Sequence, residues 1–267
     1  MWSKARLGAV SPSVRTRLVV ALVAVVAAAL VVGITLLQSG DGAGAERAST
    51  AQPETTPPPL ELGILLRDDR EARALREAER TLERGNRLQA RRRFEELLAA
   101  NPESVEAAVG AAIASWPDRT LDRLRRLVAG HPDSGVARLH LGFALLASGD
   151  ESKAAREWVE AERRDPDSPA ALRAEDLRHP RMAPGRPPFV AAFRGPTGLR
   201  GRSPEDQLTE LERRAERGGV ADQLLLGTAY QRVGRPVSAE RAFNRAVELA
   251  PRDLRARVAV AVGSFDK

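Results

Sequence analysis

Leu141 to Pro166 reads LGFALLASGDESKAAREWVEAERRDP, and this stretch decides the fold. Its ladder is Leu141, Gly142, Leu145, Gly149, Ala154, Trp158, Ala161 and Pro166. The same ladder returns 85 residues later as Leu226, Gly227, Tyr230, Gly234, Ala239, Phe243, Ala246 and Pro251. Its second half occurs a third time as Gly85, Ala90, Phe94, Leu97 and Pro102. Such spacing predicts two helices joined by a glycine turn. The small residue of the first helix (Gly142, Gly227) is expected to face a small one on the second (Ala154, Ala239). The backbones can then approach closely, and the aromatic covers the seam.

The pattern resembles the tetratricopeptide repeat, a helical hairpin of about 34 residues. The resemblance implies an all-α fold, a right-handed superhelical stack of helix–turn–helix repeats. It also implies a role: the family binds extended or helical peptide segments on its concave surface, assembles complexes and does not itself catalyse.

Repeat boundaries are marked by Asn101-Pro102-Glu103-Ser104, His131-Pro132-Asp133-Ser134 and Asp165-Pro166-Asp167-Ser168, since proline stops one helix and suits the first turn of the next. Helix signals begin near Leu62 and are firm from Asp68. Repeat one ends at Ala100, and a short repeat two follows over about 103–130. A fourth repeat is read as split, with helices near 168–178 and 204–217. The insert between them, about 179–203, holds Pro180, Pro184, Pro187, Pro188 and Pro196 and cannot be helical throughout. Repeat five covers about 221–249. A last helix is expected to turn Leu254, Val258 and Ala261 inward and a polar face outward.

Ahead of the array, Leu18 to Leu37 contains no charge and would reach about 30 Å as a helix, the thickness of a hydrocarbon core. Residues 1–17 form a basic arm with Lys4, Arg6, Arg15 and Arg17, so a transmembrane helix with a cytoplasmic N-terminus is expected. A cleaved signal peptide ending at Ala43-Gly-Ala45 is the rival reading. Both place the repeat domain, 60–267, outside the cytoplasm of an inner or plasma membrane. Residues 38–59, rich in Gly, Ala, Ser, Thr and Pro, read as a disordered tether. The layout resembles that of single-span bacterial members of the family that assist envelope assembly or secretion.

Aromatics make up only 4% of the chain, which argues against a sandwich or barrel, and there is no cysteine. Of the net charge of +6, four units lie in residues 1–40, leaving +2 for the remaining 227 residues. That distribution argues against a nucleic-acid partner. The histidines, His131, His140 and His179, lack a ligand partner one turn away and read as surface or capping residues rather than metal ligands. Asp165 and Asp167 read as helix-start residues. No motif for catalysis or for a cofactor is present, and neither an enzyme nor a bound cofactor is expected.

Two candidate binding regions remain. Arg178, Arg181, Arg186, Arg194, Arg200 and Arg202 form an acid-free patch around the insert, which would suit anionic envelope polymer or lipid headgroups. The second is a partner groove. In repeat three, Leu139, Phe143 and Leu146 lie nearly opposite Leu141 and Leu145. In repeat five the same side carries Leu224, Thr228 and Gln231, followed by Arg232. The resemblance makes this side the concave surface, where a protein or peptide partner would bind. The stripe in repeat three has three readings: ordinary core, an open groove for a partner, or a surface covered by the insert through Phe189 and Phe193.

Overall fold

Each proline-bearing turn becomes a helix start. In a computed structural model the described residues are 56–64, 66–190, 197–199 and 201–267. They contain α1 (Arg70–Glu83), α2 (Arg87–Ala100), α3 (Val105–Ala114), α4 (Thr120–Gly130), α5 (Gly135–Ala147) and α6 (Glu151–Arg164). The series continues with α7 (Pro169–Arg178), α8 (Pro204–Ala215), α9 (Val220–Arg232), α10 (Pro236–Leu249) and α11 (Leu254–Gly263). Thr197–Leu199 makes one 3₁₀ turn, and no strand occurs among the described residues. The expected span at 18–37, and the tether as far as residue 55, lie outside them. Among the described residues no helix is long and apolar enough to cross a membrane.

Serine caps four of these helices and aspartate three, through Asp69, Asp150 and Asp253. The side chains of Ser104, Ser134, Ser168 and Ser203 accept from the backbone N–H three residues on, and so start α3, α5, α7 and α8. Asp165 and Asp167 act elsewhere, which corrects their reading as helix-start residues. Asp165 ends α6, and its Oδ2 accepts from the N–H of Gly135 at the head of α5. Asp167 accepts from Ser238 N (2.9 Å) and Ser238 Oγ (2.5 Å), 71 residues away.

Helices α1/α2, α3/α4, α5/α6 and α9/α10 form hairpins. Gly85, Gly149 and Gly234, with φ of 81°, 86° and 74°, end the first helix in three of them. The seam is closed differently from the expected pairing of small residues. A Cβ on Gly142 would lie 2.2 Å from Trp158 Nε1, and one on Gly227 would lie 2.2 Å from Phe243 Cε1. The glycine makes room for the aromatic ring itself. Phe94 does the same one step along, against Gly110 of the next first helix.

Successive first helices (α1, α3, α5, α7) also touch one another, whereas no comparable contact joins successive second helices. The first helices therefore form one continuous row, on the side that the resemblance makes concave.

The split fourth repeat does not form. α7 packs on α5 and α6, α8 packs on α9, and no comparable packing joins α7 to α8. Repeat five instead docks its turn on the head of α7, where a Cβ on Gly234 would sit 3.1 Å from Pro169. The apolar core divides accordingly. One cluster joins α1 to α7; the others lie in the C-terminal helices, around Phe243 and around Leu208 and Leu211.

The last helix is turned the other way from the sequence expectation. Ala256, Ala259 and Gly263 face inward, while Leu254 and Val258 are 71% and 53% exposed. Close approach decides the orientation, since a Cβ on Gly263 would already be 2.8 Å from Phe243.

Candidate functional site

The concave side is occupied by the chain itself. Residues 60–64, 66 and 67 form neither helix nor strand, which corrects the expectation of helix from about Leu62; α1 starts only after the Asp69 cap. This segment meets the first helix of each of the first four repeats or half-repeats. Glu61 N–H donates to His140 Nε2 of α5 (3.0 Å), and Leu62 N–H donates to Glu79 Oε1 of α1 (3.3 Å). Arg76 of α1 donates to the carbonyls of Ile64 (3.1 Å) and Arg67 (2.6 Å). Arg173 Nε of α7 donates to both oxygens of Glu61 (3.0 and 2.9 Å), and Arg67 lies 3.6 Å from Glu106 of α3. Leu62 and Ile64 are buried in the cluster that holds Leu139 and Phe143, with exposed Gly63 between them. Leu66 packs against the separate cluster of Leu208 and Leu211.

A backbone without secondary structure needs partners for its buried polar groups, and here side chains supply them. His140 shows the chemistry most clearly. It is fully buried, which corrects its reading as a surface or capping residue; His131 and His179 do sit at helix C-termini. Its Nδ1 lies 2.7 Å from the Val136 carbonyl while Nε2 accepts from Glu61. Both contacts are satisfied together only by the neutral ring protonated at Nδ1. Burial lowers its pKa to about 4, against a smaller upward push from the Val136 carbonyl. Glu79 moves upward, because burial disfavours its charge more than the Leu62 N–H favours it.

A pH dependence follows. The unfolded chain protonates His140 near pH 6.5 and the folded chain only near 4. Stability is therefore full above 6.5 and falls as pH drops toward 4, by about 2 kcal/mol at pH 5. Glu79 opposes this in part: its raised pKa lets the folded state bind a proton first as pH falls. Urea midpoints at pH 7 and 5 should show the loss, and His140→Gln, which keeps an acceptor for Glu61, should flatten it. An equal slope in the variant would assign the loss to other groups.

The sequence-selected groove residues separate. Leu139 and Phe143 are buried, at 1% and 4% exposure, whereas Leu146 is 45% exposed. Phe143 stands edge-on to His140 and Trp158 (centroids 5.7 and 6.1 Å). Leu139 and Phe143 are therefore core, in the same cluster as Leu62 and Ile64, and Leu146 is not. Phe189 of the insert lies elsewhere: it is buried edge-on to Phe243 (5.4 Å) in repeat five. Phe193 falls outside the described residues. Gln231 accepts from Phe189 N–H (2.8 Å) and donates to the Pro187 carbonyl (3.5 Å). Thr228 bonds only along its own helix, to the Leu224 carbonyl, and Arg232 is exposed.

The arginine patch is thinner than its sequence. Arg186 makes a two-pronged pair with the buried Glu175 (3.0 and 2.9 Å), and Arg178 reaches Glu162 (2.5 Å). Arg181 and Arg202 are exposed, while Arg194 and Arg200 lie outside the described residues. Among the described residues no three metal-ligating side chains cluster.

Sequence reasoning missed His140, Glu79, Arg76 and Arg173 as groove residues. The available signal was the aliphatic alternation Leu60, Leu62, Ile64, Leu66 directly after Pro57-Pro58-Pro59.

Comparison with known proteins locates the repeats. No curated protein matches the sequence. A thermophilic TPR protein of Thermus thermophilus is 22% identical, with a TM-score of 0.34 over 72% of this chain and 98% of that one. A human IFIT1 dimer with m7Gppp-AAAA is 20% identical, with a TM-score of 0.32 over 74% of this chain and 47% of that one. Neither overlay is close enough to bear on function. The tetratricopeptide-repeat family model matches residues 75–123 and 117–169, which includes the short second repeat. With the hairpin geometry above, that match identifies this stretch of the chain as tetratricopeptide repeats.

Proposed function

We propose that the array is a protein-interaction scaffold that binds partner segments on its inner face. It would be held outside the cytoplasm by the span at 18–37 and serve envelope assembly or secretion. The observation that carries the binding role is the inner face itself. Side chains from α1, α5 and α7 grip a segment that has no secondary structure, four of the bonds going to its backbone. Backbone recognition of this kind suits foreign segments as well as the chain's own. The membrane placement rests on the uncharged run and the basic arm before it. No catalytic step is part of this reading.

Capture with the full chain, tagged after Lys267, tests the reading. Protein partners should stay bound in high salt, because apolar burial is not screened by ions. Recovery of acidic polymer alone, lost as salt rises, would overturn it in favour of the arginine-rich insert. A reporter at the same position should be active only if it works outside the cytoplasm; activity of a cytoplasm-only reporter would sink the topology.

A further inference from the structure

We propose that the inner face holds a site for the pattern aliphatic–acid–aliphatic–glycine–aliphatic, that residues 60–64 fill it in the free chain, and that a partner segment of this pattern displaces them. The inference rests on the scaffold reading and names its ligand.

The resident segment specifies that ligand chemically. Its apolar requirement comes from Leu62 and Ile64, at 4% and 7% exposure, sunk into the α1–α7 core. The acid is set by Arg173, which meets both oxygens of Glu61; a basic residue there would face a cation. Glycine is required by conformation. Gly63 has φ +66°, a left-handed backbone that costs any residue with a Cβ, and that Cβ would lie 3.4 Å from Pro169. The remaining contacts, from His140, Glu79 and Arg76, go to main-chain atoms and place no demand on sequence.

The way it is held makes it replaceable. No backbone ladder anchors it: beyond the burial of Leu62 and Ile64 it is held by part-buried side-chain bonds, which open more readily than the helices around them. It joins α1 through the few residues before Arg70, so its effective concentration is high and it competes strongly with any free ligand. The unaltered chain should therefore bind an outside segment weakly, and a chain with a strained resident segment should bind it well.

The test uses a fluorescent peptide of residues 58–67, PPLELGILLR, and the full chain. Gly63→Val strains the resident segment without touching a core side chain. The variant should bind the peptide at least tenfold more tightly than the unaltered chain. The peptide made with Glu61→Arg should lose at least tenfold toward that variant. Equal binding by both chains, with helical circular dichroism unchanged, would overturn the proposal. If Gly63→Val folds poorly, the unaltered chain decides by hydrogen exchange. Millimolar peptide should strip protection from the amides of Glu61 and Leu62, and unchanged protection would refute displacement. The scaffold reading fails separately: a positive peptide result with no protein captured leaves the site and removes the scaffold role.

Discussion

Gly142→Val should destabilise the array by about 3 kcal/mol or more, the upper end of what overpacking costs, because the ring it meets cannot retreat. The new Cβ would stand 2.2 Å from Trp158 Nε1 and 2.6 Å from Cδ1. The indole is pinned: it is 6% exposed, its Nε1 donates to the Leu139 carbonyl (3.3 Å), and Phe143 abuts it. Gly149→Ala offers a contrast, because a Cβ there meets nothing within 4 Å and only the φ of 86° is strained. That change should cost about 1–2 kcal/mol. Urea melts of both variants measure the difference. Adding Trp158→Leu to Gly142→Val should recover part of the loss, since the two sites are in contact and not additive. Equal melts for Gly142→Val and the unaltered chain would show that the ring is not wedged there.

Leu139→Ala combined with Phe143→Ala should leave the chain largely unfolded. Buried leucine and phenylalanine truncations cost about 2–5 and 3–5 kcal/mol respectively, against a total stability of about 5–15 kcal/mol for a domain. Circular dichroism at 25 °C should show most of the helix lost or a steep fall in urea midpoint. Leu146→Ala, on the same predicted stripe but exposed, should move the midpoint by less than about 1 kcal/mol. A double variant that melts normally would return the stripe to a surface role.

The hairpins were legible because their information is local. Glycine at the turn, proline at the boundary and the small and aromatic residues of the ladder all lie within one repeat, and repetition multiplies the signal. What escaped was set at long range. His140 and Arg173 are surface-compatible by pattern, and become groove residues only because Glu61 arrives from 79 and 112 positions away. The run Leu60 to Leu66 is too short for periodicity to separate helix start from extended chain. The charge of the insert misleads in the same way. Its window contains no acid, yet Glu162 and Glu175 on neighbouring helices neutralise Arg178 and Arg186. The last helix shows a different limit. Its aliphatic stripe outscores its alanine–glycine face in hydrophobicity, but only the smaller face fits against Phe243.

Residues 60–64, with 66 and 67, folded onto the first helices, also mark a stretch of stored length. Drawn out, eight residues span about 26–29 Å. A pull on the chain from its N-terminal side is carried first by the bonds of Glu61, Leu62 and Ile64 to His140, Arg173, Glu79 and Arg76, before any helix is loaded. Those bonds act as a mechanical fuse. Whatever fills the groove in their place frees part of that length between α1 and the chain that precedes the segment.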